Sequence, residues 1–237
     1  LLGDARTPGD RAFIASHRGG AAEAPENTLP AISRAIADGF DYVEVDVALT
    51  GDGHAVLMHD ATVDRTTNGH GRLASLTLAE VRALDAGSWF DAAYAGVQVP
   101  TFVEFADLLT STAHRAIIEL KGLWHQDAIN ELIAELAARG LERSVALVSF
   151  DARILALVSA TATIAPTMVI LRHLPEDIVQ AARDLGVRGV IVDRRALLKR
   201  PDVVDQLHAE GMRVVVYTLN KDTQWDAVTA IGVDGIV

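Results

Sequence analysis

The sequence has no cysteine among its 237 residues, which excludes a disulfide framework, a thiolate metal site and a cysteine nucleophile. Aromatic residues make up only 5% of the chain, so aliphatic side chains must fill most of the core. No apolar run reaches the roughly 18 residues that a membrane-spanning helix needs, and no signal peptide is recognisable. We therefore expect no stable membrane insertion and a soluble protein, with the cytoplasm favoured and export as the alternative.

Basic residues are also scarce. The chain has 21 Lys and Arg against 32 Asp and Glu, which gives a formal net charge of -11. An acidic surface repels nucleic-acid phosphates at long range, so a nucleic-acid partner is not expected. An anionic small molecule would have to be held by a local group of positive side chains. The composition leaves the oligomeric state open.

What the sequence does contain is a regular alternation of strand-like and helix-like segments. Apolar or period-two runs predict strands at residues 11–16, 42–49, 115–120, 144–150, 167–171, 189–192, 213–219 and 234–237. Runs with helical spacing, several followed by glycine, predict helices at 29–38, 101–109, 126–139, 152–159, 175–185, 201–210 and 223–231. Eight strands, each but the last followed by a helix, favour an α/β fold, the (β/α)8 TIM barrel.

Two features interrupt this single barrel domain, which is expected to span residues 1–237. Residues 54–58 continue as extended chain, and a segment rich in Gly, Asp and Thr at about 60–99 indicates a small insertion after strand 2, with a short helix at 77–84. The sequence stops at Val237 within the last strand. The last helix of the barrel is therefore expected to be missing from this chain.

Three carboxylates lie at the ends of predicted strands. Glu44 and Asp46 are two residues apart in an alternating run, so they share one face of the strand while the valines between them face the helices. Glu119 ends another apolar strand. Buried carboxylates need a cation or basic partners, and oxygen ligands without cysteine favour Mg²⁺ or Ca²⁺. Simple ion pairing, such as that of Glu119 with Lys121, is the alternative interpretation.

Two histidines, His17 and His59, follow apolar runs and should also lie at the carboxyl ends of strands. Imidazole titrates near neutral pH, so one can accept a proton while the other donates one. His173, after the fifth strand, is the strongest candidate for an additional pocket residue, and His70 in the insertion could reach the site. The remaining histidines are expected at the surface: His54, His114, His125 and His208.

Positive side chains accompany these groups. Arg18 offers a planar fork suited to two phosphate oxygens, and Lys121 offers a point charge. Before the first helix, Thr28 is expected to be the N-cap, and Glu26 and Asn27 to bridge to the site by hydrogen bonds. A leaving-group pocket could be lined by residues that follow two further strands, with aromatic packing as the alternative role: Phe150, Tyr217 and Asn220.

An ordered set of motifs connects these residues. It consists of His17-Arg18-Gly19, Pro25-Glu26-Asn27-Thr28, Glu44-x-Asp46, His59-Asp60, Asp64-Arg65-Thr66-Thr67-Asn68-Gly69-x-Gly71, Pro100-Thr101, Glu119-x-Lys121 and Gly232-Val233-Asp234-Gly235. The set resembles the glycerophosphodiester phosphodiesterase family, and the likeness runs from about Phe13 to Val237. No single tripeptide of the set would be enough to identify the family.

The resemblance implies a TIM barrel with a small insertion and a divalent-metal-dependent hydrolysis of glycerophosphodiesters to sn-glycerol 3-phosphate and an alcohol. By matching position, it implies that His17 and His59 are the acid/base pair and that Arg18 and Lys121 hold phosphate. The metal ligands would be Glu44, Asp46 and Glu119. The chain departs from the family at Tyr217-Thr218-Leu219-Asn220, where a Trp-Thr-Val-Asn-like motif is usual, and it lacks the Thr-Asp-x-Pro-like segment and helix after the last strand.

Two rival functions use the same residues. A phospholipase D-like hydrolase of lysolipids would need a broad apolar groove or a membrane-facing loop, and no basic amphipathic stretch favours it. A barrel that binds a phosphodiester without catalysis would be expected to lack a histidine or a carboxylate, and all of them are present. Fold alone could not separate these functions, because barrels carry many chemistries.

Overall fold

Eight parallel strands close into a barrel in the computed structural model, which describes residues 3–237. Neighbours around the barrel follow chain order, and the first and last strands also pair with each other. The barrel strands are β1 Phe13–Ser16, β2 Tyr42–Leu49, β4 Ala116–Leu120, β5 Val145–Ser149, β6 Thr167–Leu171, β7 Gly189–Asp193, β8 Arg213–Tyr217 and β9 Gly235–Ile236. The TIM-barrel prediction is confirmed, and each predicted strand is present with ends shifted by at most two residues.

Helices cover the outside of the barrel. They are α1 Leu29–Ala37, α2 Leu78–Arg82, α3 Phe102–Thr112, α4 Gln126–Ala138, α5 Ala152–Ser159, α6 Ile178–Asp184, α7 Arg194–Leu197, α8 Val203–Ala209 and α9 Asp222–Thr229. Thr28 caps α1 as predicted, since its Oγ1 accepts the Ala31 amide at 3.4 Å. Helix α7 was not predicted from the sequence, because its four residues are too few to show a helical period.

The insertion begins with β3 Ala55–Leu57, which pairs antiparallel with the end of β2. The segment that follows packs around a small apolar cluster of its own, beside the barrel rather than inside it. Its buried members include Val63, Leu73, Val81 and Val99. The insertion therefore stands next to the carboxyl end of β2, where it can bring side chains to the mouth of the barrel.

Period-two alternation in β2 divides its side chains as expected. The valines Val43, Val45 and Val47 are fully buried against the helices, in the same cluster as Phe105 of α3. Tyr42 faces the barrel interior, where its ring lies 4.5 Å from that of Phe13. Aromatic and aliphatic side chains thus fill the barrel up to the level where the carboxylates begin.

The motif around Asp234 lies at the opposite, amino-terminal end of the barrel. The buried Asp234 carboxylate accepts the Arg6 and Val214 amides at 2.9 and 2.7 Å, and it lies 2.8 Å from His208 Nε2. His208 was expected at the surface, but its side chain is only 12% exposed because it pairs with this carboxylate. A Cβ on Gly235 would lie 2.1 Å from the Phe13 ring, so this glycine is required for packing.

Within residues 3–237, no helix combines the length and the apolar character needed to cross a bilayer.

Candidate active site

The three predicted carboxylates meet at the carboxyl end of the barrel. β2 and β4 are neighbours in a register that places Asp46 opposite Glu119. Glu44 lies on the same face, two residues before Asp46. All three are buried, with exposed fractions of 5%, 1% and 9% for Glu44, Asp46 and Glu119. Oxygens from the three lie within 4.8 Å of one another, a grouping that could hold a metal ion.

Burial and mutual repulsion make this carboxylate triad unfavourable in its ionised form. Burial, followed by the charge of Asp46, raises the pKa of Glu44 well above its usual value. The same two causes raise the pKa of Glu119, although Lys121 opposes them. Because the available ligand atoms are all carboxylate oxygens, they fit a hard cation such as Mg²⁺ or Ca²⁺.

Two basic side chains lie against the triad. Lys121 Nζ is 3.0 Å from Glu119 Oε1 and 3.4 Å from Asp46 Oδ1, so the ion pair considered as an alternative is present. Arg18 Nε is 3.6 Å from Asp46 Oδ2. This nitrogen is buried, and among the described residues it has no hydrogen-bond partner. Arg18 therefore has one donor, Nε, that makes no hydrogen bond within the described residues.

Residues that precede α1 hold two of the three carboxylates in place by hydrogen bonds. Asn27 donates through Nδ2 to Asp46 Oδ2 at 2.9 Å, and its Oδ1 accepts the Asp46 amide at 3.0 Å. The Arg18 amide donates to Glu44 Oε2 at 2.8 Å. Arg18 and Asn27 both adopt left-handed backbone, with φ of 53° and 55°, which is uncommon outside glycine and clusters at functional sites. The bridging expected of Asn27 is thus found in the structure.

The two predicted histidines lie on either side of the cavity. His17 Nε2 is 4.0 Å from Glu44 Oε2. Burial, and then the Arg18 charge, lowers the pKa of His17 to about 4, so this imidazole is neutral at neutral pH. His59 Nδ1 lies 2.6 Å from Asp60 Oδ1. Hydrogen bonds from Arg65 hold the pKa of Asp60 below its usual range, so Asp60 is a carboxylate that orients the His59 ring.

Arg65 of the insertion joins the two sides of the site. Its Nε donates to Asp60 at 2.6 Å, and its two terminal nitrogens each donate to Glu26 at 2.8 Å. Glu26 also accepts a 2.9 Å hydrogen bond from Arg18. Burial opposes ionisation of Glu26, but Arg65 and Arg18 outweigh it and lower its pKa. The bridging expected of Glu26 is present, through a partner that the sequence did not indicate.

An aromatic wall closes the far side. The Phe150 and Tyr217 rings meet edge to face at 6.0 Å, and the Arg172 guanidinium lies 5.2 Å above the Phe150 ring. Burial, and then the charge of Asp193, raises the pKa of Tyr217 to about 12, so its hydroxyl stays protonated and donates to the Leu171 carbonyl at 3.3 Å. Both roles proposed for these aromatics, packing and lining, occur together.

These groups surround one cavity of about 270 Å³. Its lining includes His17, Arg18, Glu44, His59, Glu119, Lys121, Phe150, Arg172 and Tyr217. Eight of the eleven predicted site residues therefore face one space, and Glu26, Asn27 and Asp46 support it by the contacts described above. Their roles in catalysis, metal binding and substrate binding stay predictions.

Three expectations for this cavity are wrong. His173 does not line it, but Arg172 does. Ile170 and Arg172 are two residues apart and share the inward face, which turns His173 away. His70 pairs with Asp64 on the exposed loop, at 3.2 Å, rather than reaching the site. Asn220 is exposed and is absent from the lining.

Sequence reasoning assigned no role to Asp60, Arg65 or Arg172. Arg172 could have been predicted from its position at the carboxyl end of a strand, as the other site residues were. It directly follows β6 and lies two residues after the inward-facing Ile170. Asp60 and Arg65 belong to motifs already recognised, but their contacts join residues up to 39 positions apart. No local pattern reveals such a contact.

Comparison with known proteins agrees with this geometry. The model of the glycerophosphoryl diester phosphodiesterase family matches residues 17–237. The chain belongs to this family. A glycerophosphodiester phosphodiesterase of Caldanaerobacter subterraneus subsp. tengcongensis is 32% identical over 230 residues, covering 96% of this chain and 93% of that protein. The family assignment makes the chain a phosphodiester hydrolase, a glycerophosphodiester phosphodiesterase.

Solved structures of this family share the fold. A phosphodiesterase from Oleispira antarctica, in complex with the product sn-glycerol-3-phosphate, superposes with a TM-score of 0.84 at 27% identity, covering 94% of this chain and 91% of that one. A glycerophosphodiester phosphodiesterase from Agrobacterium tumefaciens str. C58 gives 0.82 at 28% identity, with 95% of each chain covered.

Proposed function

We propose that this glycerophosphodiester phosphodiesterase hydrolyses glycerophosphodiesters to sn-glycerol 3-phosphate and an alcohol, with a divalent metal and the histidine pair His17 and His59. The observation that carries the proposal is one cavity lined by two histidines, Arg18, Lys121 and two members of the buried carboxylate triad, with Asp46 directly beside them. The Oleispira relative in complex with sn-glycerol-3-phosphate supports the product.

Glu44, Asp46 and Glu119 would hold the metal ion, which would withdraw charge from the phosphate oxygens and so favour attack at phosphorus. Arg18 lines the same cavity, and it binds a second phosphate oxygen. Lys121 adds positive charge where negative charge builds up during the reaction.

The two histidines divide the proton transfers. His17 is neutral, because burial and Arg18 lower its pKa to about 4. It accepts a proton from the attacking water, whose oxygen bonds to phosphorus as the bond between phosphorus and the alcohol oxygen breaks. Asp60 accepts a hydrogen bond from His59 Nδ1 and so orients the ring, and His59 protonates the leaving alkoxide through Nε2. An unprotonated alkoxide leaves slowly at neutral pH, so each transfer is worth about 10²–10⁴-fold.

The test is release of sn-glycerol 3-phosphate from glycerophosphocholine and glycerophosphoglycerol, measured after EDTA treatment and after addition of Mg²⁺ or Ca²⁺. We expect activity that EDTA abolishes and metal restores, and a fall of about 10²-fold or more in kcat for His17→Ala and His59→Ala. His54→Ala, on the exposed surface, is the matched control. Near-normal turnover in either cavity variant, or full activity in EDTA, would contradict the proposal.

A second candidate, the lysolipid hydrolase, is favoured by one observation. A groove of about 700 Å³ adjoins His59 and Lys121, and its lining includes Leu49, Leu73 and the exposed Leu123. An acyl chain could lie there. Faster hydrolysis of lysophosphatidylcholine than of glycerophosphocholine would favour this function.

A further inference from the structure

A second pocket lies next to the active-site cavity, where the ends of β6, β7 and β8 meet. It has a volume of about 620 Å³ and shares Arg172 and Tyr217 with the cavity. This size lies within the roughly 300–1,000 Å³ of typical small-molecule sites. The Arg172 and Tyr217 side chains thus border both spaces.

The lining of this second pocket is strongly basic. It contains four cationic side chains and a single carboxylate: Arg172, Arg195, Lys199, Arg200 and Asp193. This contrasts with the net charge of -11 of the whole chain. A local positive pocket on an acidic protein concentrates anions at that place and repels cations.

The positive charges of the pocket are not neutralised within the protein. Among the side chains that the structure describes, no carboxylate lies within ion-pair distance of Arg172, Arg195 or Lys199. Asp193 is engaged elsewhere, since its Oδ1 accepts the Arg195 and Ala196 amides at 2.8 and 3.2 Å. These cations are available to a ligand.

We propose that this basic pocket binds an anionic group, a phosphate or a carboxylate, on the leaving alcohol of the substrate. The preferred substrates are then glycerophosphodiesters whose alcohol carries a negative charge, in preference to choline or other cationic alcohols. The proposal rests on the proposed phosphodiesterase function and adds its substrate class. Phosphate contacts with Arg172 and Arg195 supply the recognition, because guanidinium groups bind phosphate oxygens in pairs.

The experiment compares three diesters whose leaving alcohols are glycerol phosphate, glycerol and choline. The variants are Arg195→Glu and, as control, Arg188→Glu. Arg188→Glu makes the same charge change at an exposed position directly before the first residue of β7, at the end of the strand away from the pocket. We expect kcat/KM to be highest for the anionic alcohol. Arg195→Glu should lower the ratio of anionic to neutral kcat/KM roughly tenfold, and Arg188→Glu should leave the ratio unchanged.

Salt gives a second readout, because screening at 0.5 M ionic strength should weaken the preference for the anionic alcohol. An unchanged ratio in Arg195→Glu, or a preference for choline or lysophosphatidylcholine, would overturn the pocket assignment. Failure to hydrolyse any diester would contradict the proposed function instead. In that case, calorimetry would measure binding of the anionic diester to each variant. The pocket assignment requires weaker binding to Arg195→Glu than to Arg188→Glu.

Discussion

Arg65 donates two hydrogen bonds of 2.8 Å each to the buried carboxylate of Glu26, across 39 residues of sequence. Its third nitrogen donates to Asp60, which holds His59, while Glu26 also holds Arg18. A single side chain from the insertion thus fixes the relative positions of one histidine and the arginine proposed to bind phosphate.

Replacing Arg65 by alanine should lower kcat by about 10–100-fold, the usual effect of removing a group that orients active-site residues. Glu26 would lose two of its three hydrogen bonds, and the free energy of unfolding should fall by about 1–3 kcal/mol. Steady-state kinetics and denaturant unfolding measure the two effects. Arg34→Ala is the control, because Arg34 pairs with Glu23 and Asp38 on the surface. Equal kcat in both variants would contradict this positioning role.

Asp60→Asn should lower kcat by about 10²-fold with little change in KM, because His59 would lose the carboxylate that orients its ring. The matched control lies in the same insertion, where Asp64 contacts the exposed His70 in a similar way at 3.2 Å. Asp64→Asn should keep normal kcat. If Asp60→Asn raises KM and leaves kcat unchanged, Asp60 acts in binding and the proposed role is wrong.

Removing charge from the carboxylate triad should change how stability depends on pH. Burial and Asp46 raise the pKa of Glu44 above its ordinary value of 4.5, so the folded state binds this proton more tightly than the unfolded chain does. The metal-free protein must then lose stability as pH rises from about 4.5 through the raised pKa. Glu44→Gln should remove part of this loss and melt higher than the metal-free wild type at pH 8.

Mg²⁺ or Ca²⁺ should reverse this order, so that the wild type melts at a higher temperature than Glu44→Gln. At a concentration 100 times the dissociation constant, a bound ion adds about 2.7 kcal/mol to the wild type, and little to Glu44→Gln. Thermal unfolding from pH 4 to 8, with EDTA or with metal, measures both effects, and Glu131→Gln on the exposed face of α4 is the control. Equal metal stabilisation of wild type and Glu44→Gln would argue against the triad as the metal site.

Asp234→Ala tests a motif residue that lies away from the site. It would leave three donors of Arg6, Val214 and His208 without their buried acceptor. The free energy of unfolding should fall by about 3–5 kcal/mol, while kcat of the folded enzyme stays normal at low temperature. Asp10→Ala, at an exposed turn, should have little effect. A large fall in kcat without loss of stability would show that the two ends of the barrel are coupled.

The sequence alone determined much of this protein, for physical reasons that are local. Alternation in β2 placed Glu44 and Asp46 inward, the capping residue Thr28 marked the start of α1, and strand ends located His17, His59 and Glu119. Each inference depends on residues a few positions apart, and a parallel barrel then gathers strand ends on one face.

Only the tertiary structure decided which side chains complete the site. Arg65 meets Glu26 because the insertion packs beside β2, and Arg172 rather than His173 enters the cavity because β6 presents alternate residues inward. The basic pocket of Arg172, Arg195 and Lys199 likewise combines the ends of β6 and β7 with α7. Such contacts join segments far apart in the sequence, and their geometry is set by how the barrel and its insertion pack.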